Sequence, residues 1–221
     1  FSDFDGIRID EGGNGDLRAR VHDSRFVENA GDGLELDERG PGSAVADVAR
    51  TAFDRNGRQP QNPEDLEDGF DIDEADEGDI VVSIVHSTAN GNFDEGVDLG
   101  EEGSGSIRLE ATRLVASGNA DEGIKVSEDA ETEAGGDIDV ELQNVTASNS
   151  QEDDGIHFEE FGPGDLEARV LETTIRDNAA YGINVDQTAP GEGKLGLEKV
   201  TFGGNGDDDM DATDVEVIQL P

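Results

Sequence analysis

The chain has 221 residues, with 56 Asp and Glu against 15 Lys and Arg, and a formal net charge of −41 at pH 7. That balance excludes nucleic acid and anionic membrane surfaces as expected partners, since both carry charge of the same sign. Cysteine is absent, which removes disulfides and thiol chemistry, and no stretch approaches the roughly eighteen apolar residues of a membrane span.

The first element is 5–11, DGIRIDE, an alternating strand entered through Gly6. The unit recurs at 32–38 (DGLELDE), 68–74 (DGFDIDE), 95–101 (EGVDLGE), 122–128 (EGIKVSE), 154–160 (DGIHFEE) and 181–187 (YGINVDQ). Its glycines, Gly6, Gly33, Gly69, Gly96, Gly123, Gly155 and Gly182, are spaced 27, 36, 27, 27, 32 and 27 residues apart. Such a period marks a stacked-repeat architecture. The first and third residues after each Gly are apolar, as in Ile124 and Val126, with polar residues between and after them. Alternation with period two is a half-buried strand, and the Gly suits a tight turn or positive φ.

A second alternating strand follows each unit, from Leu17, Ala19 and Val21 in the first repeat to Leu166, Ala168 and Val170 in the sixth. A shorter third segment carries Phe26, Phe53, Ala89, Ala116, Ala147, Ile175 and Phe202. Each repeat therefore offers three short strands and three turns, and it buries its apolar side chains only by stacking on its neighbours. The insertion 58–67, with Pro60 and Pro63, is expected to project as a loop, and 129–136 is a longer acidic turn. Regular coils run over about 5–206, the acidic run 207–211 reads as a solvated turn, and 215–220 reads as a closing strand. The whole of 1–221 is expected to form one domain. Nothing in 1–4 resembles an amphipathic cap, so the open strand edges are expected to be met by a cap outside this sequence, a neighbouring domain or end-to-end self-association.

Asn29, Asn92, Asn119 and Asn178 stand four residues before a repeat Gly; Asn56 and Asn205 end their third segments in the same way, and Asn149 falls one residue out of register. Stacked at one turn, these amides would form a ladder. Three strands per coil, an Asn at one turn and N-x-x-[DE]-G-I leading into the next strand resemble the right-handed parallel β-helix of the pectate-lyase-like superfamily. The resemblance covers about 5–205 and implies an all-β, right-handed parallel solenoid of about seven coils. That superfamily includes polysaccharide lyases and hydrolases, epimerases, phage spikes, adhesins and surface proteins with no known chemistry, so it does not fix an activity. The hydrolase-like N-T-D, G-H-G and R-I-K motifs and the epimerase-like D-P-H segment are absent.

Only three of the basic residues are Lys and twelve are Arg. This acid-rich, Lys-poor composition resembles proteins of salt-in halophiles, particularly haloarchaea. At molar salt the Debye length falls to about 3 Å and surface repulsion is screened. The rival reading is that Ca²⁺ or another cation neutralises the carboxylates.

Stacking places equivalent residues side by side. The position two after Gly runs Arg8, Glu35, Asp71, Asp98, Lys125, His157, Asn184. Of these, Asp71, Asp98, Lys125 and His157 are the candidate catalytic residues, an acid–base set on one rigid face. The position five after Gly runs Glu11, Glu38, Glu74, Glu101, Glu128, Glu160, Gln187. Glu74, Glu101, Glu128 and Glu160, with Asp73, are the candidate cation ligands; the alternative for this column is a hydrated acidic face. His22 and His86 fall at unrelated positions and make no transition-metal site with His157. The reading is a non-catalytic binding or structural module of a secreted or surface protein, salt-adapted and Ca²⁺-compatible, requiring no cofactor. Its expected partners are cations and a saccharide or other cell-surface component. The alternatives are a polysaccharide lyase or glycoside hydrolase working on the Asp71–His157 face, and a unit that stacks through its ends.

Overall fold

A computed structural model describes residues 5–57, 67–128, 135–188 and 190–221. Among these, every regular element is a β-strand, and the strands form three parallel sheets of a β-solenoid. Sheet 1 stacks Ile7–Glu11, Leu34–Glu38, Phe70–Glu74, Val97–Glu101, Ile124–Glu128, Ile156–Glu160, Ile183–Gln187 and Met210–Thr213. Sheet 2 stacks Leu17–His22, Ala44–Ala49, Ile80–Val85, Ile107–Thr112, Ile138–Gln143, Leu166–Leu171, Gly193–Glu198 and Val215–Gln219. Sheet 3 stacks the short strands from Arg25–Val27 through Val115–Ser117 to Thr201–Gly203. Each of the first seven coils thus contributes one strand to each sheet, in the order the periodicity predicts.

The apolar positions of all three strands point inward and form one continuous core, with Leu36, Ile72, Leu99, Val126 and Phe158 fully buried along sheet 1. Burying each such side chain stabilises the fold by about 1.5–3 kcal/mol, an amount available only when a coil lies above or below. Phe26, Phe53 and Phe70 stack with ring centroids 5.3 and 5.1 Å apart.

Two corners of the coil are made by left-handed residues. Asp23, Arg50, His86, Arg113, Asn144, Glu172 and Lys199 follow the sheet 2 strands with φ between 50° and 56°. The corner after sheet 3 uses Glu28, Arg55, Gly91, Gly118, Asn149, Asp177 and Gly204. This explains why Asn149 is out of register: it occupies the left-handed corner, and Ser150 occupies the ladder position.

The repeat glycines, expected to supply a tight turn or positive φ, have another role. None is among the positive-φ glycines, which are Gly57, Gly91, Gly118 and Gly204. A Cβ on Gly69 would lie 2.5 Å from both Asn92 Nδ2 and the Gly96 carbonyl oxygen. The glycine is required because successive backbones and the Asn ladder close over it.

The ladder itself forms. Asn56 Oδ1 accepts from the backbone N–H and Nδ2 of Asn29, Asn92 Oδ1 from those of Asn56, Asn119 Oδ1 from those of Asn92, and Asn205 Oδ1 from those of Asn178. It is interrupted at Ser150, whose Oγ is buried with no hydrogen-bond partner among the described residues.

The tail corrects one expectation. The run read as a solvated acidic turn holds the strand Met210–Thr213, which pairs with Ile183–Gln187 and opens an eighth coil. Asp209 stands 27 residues after Gly182 in the glycine position, where its exposure leaves room for a side chain. The closing strand is Val215–Gln219. Of the predicted loop 58–67, only Glu67 is described, and of the acidic turn 129–136, only Gly135 and Gly136; the lead-in 1–4 also lies outside the described residues.

Candidate functional site

The Glu column is the first surprise in the chemistry. Glu38, Glu74, Glu101, Glu128 and Glu160 are all fully buried, which overturns the hydrated-face alternative. Each lies at the end of a sheet 1 strand, where its head group folds back onto the turn that follows. Gly40 N–H donates to Glu38 at 3.2 Å, Gly103 N–H to Glu101 at 2.9 Å and Gly162 N–H to Glu160 at 2.8 Å. One backbone donor does not satisfy two buried oxygens. Glu38 Oε1, Glu101 Oε2 and Glu160 Oε2 have no hydrogen-bond partner among the described residues.

Burial therefore pushes these carboxyls up, and neighbouring glutamates add to the effect: Glu38 and Glu74 to about 7, Glu160 to about 8. The glutamate head groups of adjacent coils lie within reach of one another, so a proton shared between them supplies the missing donor. In the last full coil Gln187 brings its own donor, with Nε2 bonded to the carbonyls of Gly164 and Thr188. Asp73, the fifth candidate ligand, is exposed.

The second column is built as expected. Asp71, Asp98, Lys125 and His157 are successive register partners across sheet 1. They do not act as one cluster, because each basic residue is claimed by an acid from the position before Gly. Lys125 Nζ lies 3.1 Å from Glu95 Oε1, and His157 Nδ1 lies 3.1 Å from Glu122 Oε1. Burial alone would lower Lys125, but the charges of Asp98, Glu95 and Glu122 hold its ammonium above the usual range. Burial likewise disfavours imidazolium at His157, and the bond to Glu122 with the charge of Glu159 reverses this, raising it to about 9.

Asp68, Glu95 and Asp98 bring one oxygen each within 4.8 Å of one another, as do Asp94, Glu95 and Asp121. Burial, with the charge of Glu95, raises Asp68 and Asp98 well above the ordinary carboxylate range, and it takes Asp94 to about 8. Asp98 Oδ1 is buried with no hydrogen-bond partner among the described residues. Towards the first coil, Arg8 neutralises a similar group, lying 2.6 Å from both Glu35 and Asp37.

The acids before each Gly also have a structural task. The Oδ1 atoms of Asp5, Asp32, Asp68 and Asp154 accept the backbone N–H of the equivalent residue one coil on. Their sharing of a face with the position two after Gly was not foreseen. Strict alternation puts positions three apart on opposite faces, but the bend at the Gly brings them together. Exposed Phe93 was also missed. With Asp94, Asp121 and Gln151 it lines a shallow depression of about 400 Å³. Its sequence signal was an aromatic residue immediately after the ladder residue Asn92.

No family model, curated protein or solved structure matches this chain. The fold defines its class: a parallel β-solenoid of about seven turns with three sheets and a stacked asparagine ladder.

Proposed function

We propose that the chain is a non-catalytic binding or structural module of the right-handed β-helix type found in the pectate-lyase-like superfamily, with haloarchaeal-type salt adaptation. It works outside the cell or on its surface, and sheet 1 takes up divalent cations, Ca²⁺ foremost. The observation that carries this reading is the Asp68–Glu95–Asp98 group with the partnerless oxygen of Asp98. The coil spacing forces these carboxylates together, and Lys125 supplies one neutralising charge. An all-oxygen, net-negative group on rigid strands suits Ca²⁺. Phe93 and Gln151, beside Asp94 and Asp121, support a saccharide or other cell-surface component as the ligand presented next to the ion.

Thermal unfolding across a NaCl series, repeated at fixed ionic strength with CaCl₂ or EDTA, tests the reading. Saturable stabilisation by Ca²⁺ that is lost in Asp98→Asn supports it. Stability that climbs with NaCl and ignores Ca²⁺ refutes the cation site and leaves a screened acidic surface. The catalytic alternative on Asp71, Asp98, Lys125 and His157 has weaker support. Lys125 and His157 are both held in their charged forms by adjoining carboxylates, so neither is poised to accept a proton near neutral pH.

A further inference from the structure

Ile156–Glu160 and Ile183–Gln187 lie side by side in sheet 1, with His157 opposite Asn184 and Glu159 opposite Asp186. Residues two apart on a strand share a face, so these four polar side chains form a two-by-two grid. We propose that this grid binds one divalent first-row transition ion of the Zn²⁺ kind, with His157 Nε2, Glu159 and Asp186 as ligands and Glu122 orienting the imidazole from behind.

The distances fit a shared ion. Two ligands about 2.1 Å from one Zn²⁺ at a tetrahedral angle lie about 3.4 Å apart. His157 Nε2 is 3.2 Å from Glu159 Oε1 and 3.6 Å from Asp186 Oδ2, and the three ligand atoms lie within 4.8 Å of one another. One proton on Nε2 bonds one carboxylate at a time, whereas an ion bonds both.

The surroundings match those of a metal-bound histidine, which characteristically donates its other ring N–H to a carboxylate. Glu122 takes that place: its Oε1 is 3.1 Å from Nδ1 and its side chain is 5% exposed. When the ion displaces the Nε2 proton, this bond keeps the remaining proton on Nδ1 and leaves the Nε2 lone pair for the metal. Asn184 adds an independent observation. Its Oδ1 is buried with no hydrogen-bond partner among the described residues, and its Nδ2 lies 3.3 Å from Nε2. A half-turn of the amide exchanges the two ends and would turn Oδ1 towards the ion in exchange for the hydrogen bond that Asn184 gives the Asp154 carboxyl. The imidazole nitrogen separates this site from the all-oxygen groups of the same sheet, because imidazole suits Zn²⁺ whereas carboxylates alone suit Ca²⁺.

The test uses the full chain in molar NaCl after treatment with EDTA. Zn²⁺ alone is titrated calorimetrically, and Co²⁺ absorption reports coordination. One saturable site is expected, undisturbed by excess Ca²⁺. His157→Gln should weaken it about a hundredfold or more, and Glu122→Gln about ten- to a hundredfold. His22→Gln and His86→Gln should leave it unchanged. If His157→Gln does not fold, ¹⁵N spectra of the wild-type rings decide instead, with Zn²⁺ expected to move the His157 Nε2 resonance. Unchanged binding in His157→Gln, no saturable site, or an unmoved Nε2 resonance overturns the proposal. Each ion is titrated separately, so failure of the Ca²⁺ reading leaves this result standing.

Discussion

Glu74→Gln should stabilise the solenoid above neutral pH and leave it unchanged in acid. Glu74 is fully buried, and burial with the Glu101 head group pushes its carboxyl from 4.5 up to about 7. An acid raised on folding contributes stability that is fully present below its unfolded value and lost as pH rises through its folded value. At about 1.36 kcal/mol for each pH step, Glu74 loses about 3 kcal/mol between 4.5 and about 7. Gln does not titrate. Its Oε1 still accepts the Asp76 N–H, which lies 3.2–3.3 Å from the Glu74 oxygens. Its Nε2 brings a donor into a column short of donors, as Gln187 does four coils on. For a chain of this size roughly 2–4 °C of melting temperature accompanies each kcal/mol, so a gain of about 6 °C or more is expected at pH 8 and none below pH 4.5. Thermal unfolding followed by circular dichroism from pH 4 to 8.5, at fixed molar NaCl, measures it. A Gln variant that is less stable than wild type at pH 8, or whose pH profile runs parallel to it, refutes the protonated-column argument.

Three further outcomes follow from the ladders. Asn92→Ala removes the bonds from Nδ2 to Asn119 Oδ1 and to the Phe53 carbonyl, and takes the acceptor from the Asn56 N–H and from one Nδ2 proton of Asn56, whose other proton keeps the Phe26 carbonyl. At about 1 kcal/mol each, chemical denaturation should register a loss of about 3–4 kcal/mol, against a smaller loss for Asn205→Ala at the more open end. Ser150→Asn should close the gap between Asn119 and Asn178 and add about 1 kcal/mol, read as an upward shift of the denaturation midpoint. Gly69→Ala places a Cβ 2.5 Å from Asn92 Nδ2 and the Gly96 carbonyl, so a loss of more than about 3 kcal/mol or failure to fold is expected. Gly12→Ala, with nothing within 4 Å of its Cβ, is the matching control and should stay within about 0.5 kcal/mol on the same assay.

The architecture was legible because one period governs all three strands. The spacing of the repeat glycines placed Asp71, Asp98, Lys125 and His157 in adjacent strands, and Asn29, Asn56, Asn92 and Asn119 at one turn, before any coordinates. Direction was harder to read than register. Alternation puts the fifth residue after Gly on the same face as the apolar first and third, so the inward direction of Glu38 and Glu74 was in the pattern, and it was their charge that argued for a hydrated face. The pairings of Glu95 with Lys125 and Glu122 with His157 were hidden because they cross a bend as well as a coil boundary. The eighth coil was hidden because its glycine is replaced by Asp209, although the 27-residue spacing and the alternation of Met210 with Ala212 were both present.

The gap at Ser150 divides the amide chain into a run of four, Asn29 to Asn119, and a run of two, Asn178 and Asn205. Hydrogen bonds in series polarise one another, so each run behaves as a cooperative unit and the junction between them is a seam. A stack held by nearest-neighbour interfaces opens from an end and pauses where the interface is weakest. The coils beyond Ser150 are therefore expected to open as one block, with amide exchange reaching them before it reaches the coils from Asn29 to Asn119. The solenoid is a rod with a perforation, and a single side chain sets where it tears.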